Sequence, residues 1–179
     1  MVGPSGDKDK SKFYFAHAED GLYMAMDVDD SKCFVADPGS FWRAAGCFEL
    51  QLTTPGGVKF KDTEPWCAYD HQFWICPMKE KGKVFAGFWA NCKEQKSSSP
   101  MEDVKSSVVT TPRGYRAEVF IPAARLYGWE KARPGAEMAL SFTLAVQGLV
   151  KEHELYWPSS KKEQAMKKPW MWARVELVK

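Results

Sequence analysis

The sequence has little of most things that would announce a function. Its formal charge is only +2, from 25 basic and 23 acidic residues among 179, without the concentrated basic stripe of a nucleic-acid binder. Lys161, Lys162, Lys167 and Lys168 do gather beside Trp170 and Trp172, and read as a solvated loop. No apolar stretch approaches the roughly 20 residues of a membrane helix, so no span is expected. Residues 1–12 are polar without an apolar centre, which makes them a flexible tail rather than a signal peptide. Cys33, Cys47, Cys67, Cys76 and Cys92 form no CxxC or Cys/His ligand pattern, which argues against a zinc site. Buried thiols are the default for these five, with a Cys67–Cys92 disulfide as one option. A nucleophile elbow, a phosphate loop and a metal-ligand motif are all missing.

What the chain has in excess is aromatic surface: 8 Trp, 6 Tyr and 11 Phe. Many lie in short runs of period two, the signature of strands with one buried face. Phe13–His17 and Leu22–Val28 flank Glu19-Asp20-Gly21, a hairpin turn. Cys47–Thr53 sets Cys47, Glu49 and Gln51 against Phe48, Leu50 and Leu52. Val104–Thr110 and Tyr115–Ile121 flank Pro112-Arg113-Gly114, and Pro122–Leu126 reads as one helical turn with proline at its start. Glu137–Gln147, Glu152–Trp157 and Met171–Val178 complete the set. Residues 94–103 read as an exposed loop. About ten antiparallel strands with no long helix predict a jelly-roll β-sandwich of immunoglobulin-like type, a single domain over residues 13–179.

The hairpin His71–Met78 and Lys83–Lys93, turning through Lys79-Glu80-Lys81-Gly82, carries the densest functional signal. With Met78 opposite Lys83, Trp74 faces Gly87 and Gln72 faces Trp89. One face then holds Gln72, Trp74, Phe85, Trp89 and Asn91. The other, with His71, Phe73, Ile75, Val84 and Phe88, is core-like. Flat apolar surface beside a few placed polar groups is what a sugar ring needs, since its faces stack and its hydroxyls pair. Trp42, in the stretch after Asp37-Pro38-Gly39-Ser40, is a candidate stacking residue. Trp129 and Trp157 read as packing.

Five segments in order carry a family resemblance: Asp20-Gly21-Leu22-Tyr23, Trp42 with Phe48-Glu49-Leu50, Asp70-His71-Gln72-Phe73, Gly114-Tyr115-Arg116-Ala117-Glu118-Val119-Phe120-Ile121-Pro122, and Trp172–Leu177. The chain from Phe13 to Val178 resembles family 9 carbohydrate-binding modules and their DOMON-like relatives. That resemblance implies a non-catalytic, monomeric sandwich that forms part of a longer extracellular or periplasmic polysaccharide-active protein. It also implies a slot that takes a mono-, oligo- or polysaccharide between two tryptophans, here Trp42 and Trp170. Glu49 and Gln72 would meet the hydroxyls, with Gln51 or Asn91, above a floor of Trp74 and Trp89. Where the family can place an arginine two positions after the glutamine, this chain has Trp74.

Three other readings use particular residues. Glu49 and Glu118 are the candidate carboxylate pair for glycoside hydrolysis. Asp27, Asp29 and Asp30, with Asp37, offer oxygen ligands for a structural calcium. His71 with Met24, Met26 or Met78 is the set a haem b-binding relative would use. A sandwich that keeps the fold without the sugar site, serving as a spacer or interaction module, is the remaining alternative.

Overall fold

A computed structural model of the chain describes residues 11–29, 48–58, 67–78, 83–91, 99–145, 154–157 and 171–179, with residues 78, 83–91, 99–100, 145 and 154–156 described by backbone alone. The strands among them are β1 (Lys12–Ala18), β2 (Gly21–Val28), β3 (Phe48–Thr53), β4 (Asp70–Met78), β5 (Lys83–Asn91), β6 (Ser99–Pro100), β7 (Lys105–Thr111), β8 (Gly114–Pro122), β9 (Glu137–Ala145), β10 (Glu154–Trp157) and β11 (Ala173–Glu176). Eight strands of six residues or more carry the fold, rather than ten; β6, β10 and β11 are pieces of two to four residues. The described residues contain no α-helix, only helical turns at Ala123–Arg125 and Trp129–Lys131.

Two antiparallel sheets face each other, in the order β1-β2-β8-β7 and β10-β9-β3-β4-β5-β6, with β11 also paired to β9. The molecule is thus the β-sandwich that the period-two runs predict. β10 covers the edge of β9 from Phe142 to Ala145 and β11 covers it from Glu137 to Leu140. Alternation explains which face turns inward. Leu22, Met24, Met26 and Val28 of β2 and Tyr115, Ala117, Val119 and Ile121 of β8 are buried, while Tyr23, Arg116 and Glu118 between them are exposed.

Phe142 is the hub of the interior. Its ring lies 4.9 Å from Phe13, 5.3 Å from Phe48 and 6.4 Å from Phe15, and is stacked on Trp157 at 5.4 Å. Both sheets are therefore joined by one aromatic cluster, worth more than its buried area alone because tilted ring pairs add attraction. Trp157 is core, as expected. Trp129 is too, 2% exposed and donating its indole N–H to the Ala18 carbonyl at 2.9 Å.

Turn chemistry sets the hairpins. Gly21 has φ +153°, and a Cβ there would sit 2.2 Å from the Ile121 carbonyl oxygen, so only glycine lets β2 start this close to β8. Gly128 has φ +85°, and its Cβ would meet the Tyr69 ring at 2.5 Å. The expected loop over residues 94–103 differs in two respects. It includes β6, which pairs with β5, and Met101 is part of the core at 5% exposure. Cys76 is buried and Cys67 half-buried, and Cys92, the other half of the expected bridge, lies outside the described residues.

Candidate functional site

β3, β4 and β9 are adjacent, and their registers build two opposite surfaces. Toward the core lie Phe48, Leu50 and Leu52, flanked by Ile75, Phe73 and His71 on one side and Leu144, Phe142 and Leu140 on the other. Away from it run three cross-strand rows: Trp74–Glu49–Thr143, Gln72–Gln51–Ser141 and Asp70–Thr53–Ala139. Every member of these rows is buried. An outward sheet face would ordinarily be wet, so this one is an enclosed polar surface.

Glu49 organises it. Its Oε1 accepts from the Gln72 amide and, at 3.0 Å, from the Trp74 indole N–H. Asp70 does the same lower down, accepting from Thr53 Oγ1 and from the Cys67 backbone N–H, each at 2.7 Å. Ser141 donates to the Trp157 carbonyl at 2.7 Å. Between these satisfied groups, both polar atoms of the Gln51 amide and the hydroxyl of Thr143 have no hydrogen-bond partner among the described residues. Gln51 is 0% and Thr143 4% exposed. Each buried group left unpaired costs about 1–3 kcal/mol.

The expected site residues distribute as follows. Glu49, Gln51, Gln72 and Trp74 come together as proposed. Trp74 is only 7% exposed, so its indole holds the Glu49 carboxylate by an N–H bond and offers little open ring face. Trp89 and Asn91 need a correction. The ladder slips between Gln72 and Phe73, where Phe73 pairs with Phe88 but Gln72 pairs with Ala90. Trp89 is the extra residue of a β-bulge, and Asn91 falls opposite His71 instead of near Gln72. The pairs Met78–Lys83 and Trp74–Gly87 hold as expected. Trp42, Trp170 and Asp30 lie outside the described residues.

Sequence reasoning passed over Thr143 and Ser141. Their signal was the alternation in β9, where Ala139, Ser141 and Thr143 interleave Met138, Leu140, Phe142 and Leu144. A strand with small polar residues on its second face tells of a neighbour on that side.

Glu118 is exposed on the other sheet, so it and Glu49 lie on opposite outer faces, with the core of the sandwich between them. They do not form an acid/base pair. Arg116, on the same face of β8 as Glu118, meets Asp27 at 3.3 Å, and Arg113 meets Asp29 at 3.5 Å. A cation at these carboxylates would compete with both arginines. His71 belongs to the core: its ring stacks on Phe73 at 5.8 Å, and burial lowers its pKa from 6.5 to about 4, opposed by a hydrogen bond to the Tyr127 backbone and the charge of Asp70.

With this geometry in view, comparison with solved structures finds chains of similar fold, two of them described below. A family 9 carbohydrate-binding module from Caldicellulosiruptor kristjanssonii, in complex with glucose, superposes with a TM-score of 0.67 at 14% identity, covering 97% of this chain and 79% of that one. A family 9 module from that organism in complex with cellotriose gives a TM-score of 0.67 at 14% identity, covering 99% of this chain and 80% of that one. The fold is that of a family 9 carbohydrate-binding module. No family model and no curated protein matches the sequence. In this family 9 fold, Phe48-Glu49-Leu50 and Gln72-Phe73, two of the motifs that carry the resemblance, lie side by side at the enclosed polar surface.

Proposed function

We propose that the protein binds carbohydrate without catalysing a reaction, on the polar surface of β3, β4 and β9. The observation that carries this reading is the unpaired Gln51 amide and Thr143 hydroxyl beside the Glu49–Gln72–Trp74 cluster. A sugar supplies hydroxyls that both donate and accept, which is what an amide and a hydroxyl lacking partners require. Glu49, already fixed by two donors, would accept from a further hydroxyl, and charge-assisted bonds of this kind are the stronger ones. The glucose- and cellotriose-bound modules of the same fold support this ligand class.

Within this reading Trp42 and Trp170 are the stacking walls, supported by the family resemblance. The domain acts as a monomeric module of a longer, exported polysaccharide-active protein. A structural calcium on Asp27, Asp29 and Asp30 would serve as a clasp between β2 and the following loop. An unchanged Tm after chelator treatment would remove that metal from the account.

The test is isothermal titration of the protein with glucose and cellotriose, alongside the Gln51→Leu and Trp42→Ala variants. We expect saturable binding of modest affinity. Each variant should weaken it about tenfold or more, since one well-made hydrogen bond or stacked ring is worth that factor. Binding that survives Gln51→Leu unchanged would overturn this placement of the site. No heat with either sugar, from protein shown to be folded, would leave the sandwich a spacer or interaction module.

A further inference from the structure

The outer face of the four-stranded sheet carries a second surface of a different kind. Across β1-β2-β8-β7 the register sets two rows side by side: Tyr14–Ala25–Glu118–Ser107 and Ala16–Tyr23–Phe120–Lys105. Tyr14 is 57% and Tyr23 40% exposed, and the Tyr23 and Phe120 rings are tilted against each other at 4.7 Å. The alanines are too short to rise between the rings, so they form the floor of a groove of about 500 Å³ that runs over to Lys105 and Glu118. Four strands at their usual spacing make it about 14 Å long.

Its shape and chemistry narrow the occupant. β1 and β7 are the edge strands of this sheet, but the rings stand on its face, where a peptide strand added along either edge would not cover them. Lys105 and Glu118 balance in charge, and Asp27 beside them is held by Arg116 at 3.3 Å. A nucleic acid or an anionic membrane surface would need a concentrated positive patch, whereas here Lys12, Lys105 and Arg116 are set against Asp27 and Glu118, which leaves one net positive charge over the whole face. Tyr23 is oriented from behind: its hydroxyl donates to Asp20 at 2.8 Å, which fixes the ring in place. One held ring, Tyr23, and one open ring, Tyr14, beside a small-residue floor, with a carboxylate, a hydroxyl and an ammonium within the same groove, suit a neutral, polyhydroxylated ring ligand.

We propose that this groove is a second carbohydrate-binding surface, taking a neutral oligosaccharide laid across the four strands, with Tyr14 and Tyr23 stacking on its rings and Glu118, Ser107 and Lys105 meeting its hydroxyls. It lies on the opposite sheet from the enclosed polar surface and shares none of its residues. The proposal shares a ligand class with the function proposed above but stands on its own geometry. A domain with both sites would hold two sugar chains, one on each side of the sandwich.

The experiment is a two-dimensional amide NMR titration of the whole protein with cellohexaose, up to about 10 mM so that millimolar affinity is reached. The expected result is two separable sets of shifting signals, one at β3, β4 and β9 and one at Tyr14, Ala25 and Glu118. Tyr14→Ala/Tyr23→Ala should weaken the second set about tenfold or more and leave the first, whereas Gln51→Leu should do the reverse. Tyr14→Ser alone, at an exposed position, gives a readout should the double variant fold poorly. Shifts at the first set with none at the groove would overturn this proposal and leave the function reading intact. Shifts at the groove alone would sustain it and remove the other site. A protein silent at both would overturn both for this sugar.

Discussion

The two sheets of this sandwich treat their outward faces in opposite ways. On the four-stranded sheet that face is open, with Tyr14 and Tyr23 in solvent and alanines between them. On the seven-stranded sheet it is enclosed, with Glu49, Gln51, Gln72, Ser141 and Thr143 all buried. The first face supplies ring surface and leaves its polar groups hydrated. The second supplies fixed polar groups, two of which have no partner among the described residues. An open face costs nothing in the unbound protein but gains little per hydrogen bond, because water must be displaced from both sides. An enclosed face carries a standing penalty, which a ligand with matching groups would relieve.

Several substitutions would sharpen or break that contrast. The largest effect should come from the inner side of the same sheet, as a reference for what burial alone does. His71 in the core is neutral, with a pKa near 4 against 6.5 for a free imidazole. Between those values the unfolded chain binds the proton and the folded one does not, so stability is full above pH 6.5 and falls as pH drops toward 4. The loss should reach about 3 kcal/mol at the bottom of that window. Urea melts across the range should show it, and His71→Phe should flatten the profile. A slope that persists in the variant would place the titrating group elsewhere.

Next come the two glutamates. Glu49→Ala strips the acceptor from the Gln72 amide and the Trp74 indole, and should cost about 2–3 kcal/mol of unfolding free energy. Glu118→Ala on the open face should stay within about 0.5 kcal/mol. Equal effects would dissolve the distinction between the faces. A smaller but more telling change is Gln51→Leu, which removes an unpaired buried amide and keeps similar bulk. It should raise stability by about 1 kcal/mol while lowering sugar affinity. A destabilised Gln51→Leu would mean that the amide is already well served. Arg116→Ala breaks an exposed pair with Asp27 and should likewise cost little, about 0.2–1 kcal/mol and less at high salt.

Most of the fold could be read from alternation because one face of each long strand is apolar and the turns carry glycine. Leu22–Val28 and Tyr115–Ile121 show both signals, and both are strands with the expected sides inward. The nearness of Glu49 and Gln72 was also legible, since each lies on the polar face of its strand and within a motif of the family resemblance. Trp74 was read as ring surface because its residue type does not say whether a neighbouring carboxylate will claim the N–H. Asn91 was misplaced for a different reason: a bulge changes the side-chain parity of a strand without changing its composition. The hydroxyls of Thr143 and Ser141 went unread since serine and threonine are ordinary in strands. Their role depends on β9 lying next to β3, a contact across about ninety residues that no local pattern encodes.

The bulge at Trp89 has one more consequence. Phe88 and Ala90 pair with Phe73 and Gln72, which are consecutive in β4. Trp89 is therefore spliced into a ladder that would close without it. Deleting that single residue would leave every existing backbone pair in place and a regular hairpin behind, so β5 contains a site where the chain can shorten by one residue and keep its alignment. Sheet pairing gives no reason for a tryptophan there. A one-residue deletion there separates the bulge from the rest of the ladder more cleanly than any replacement in the strand.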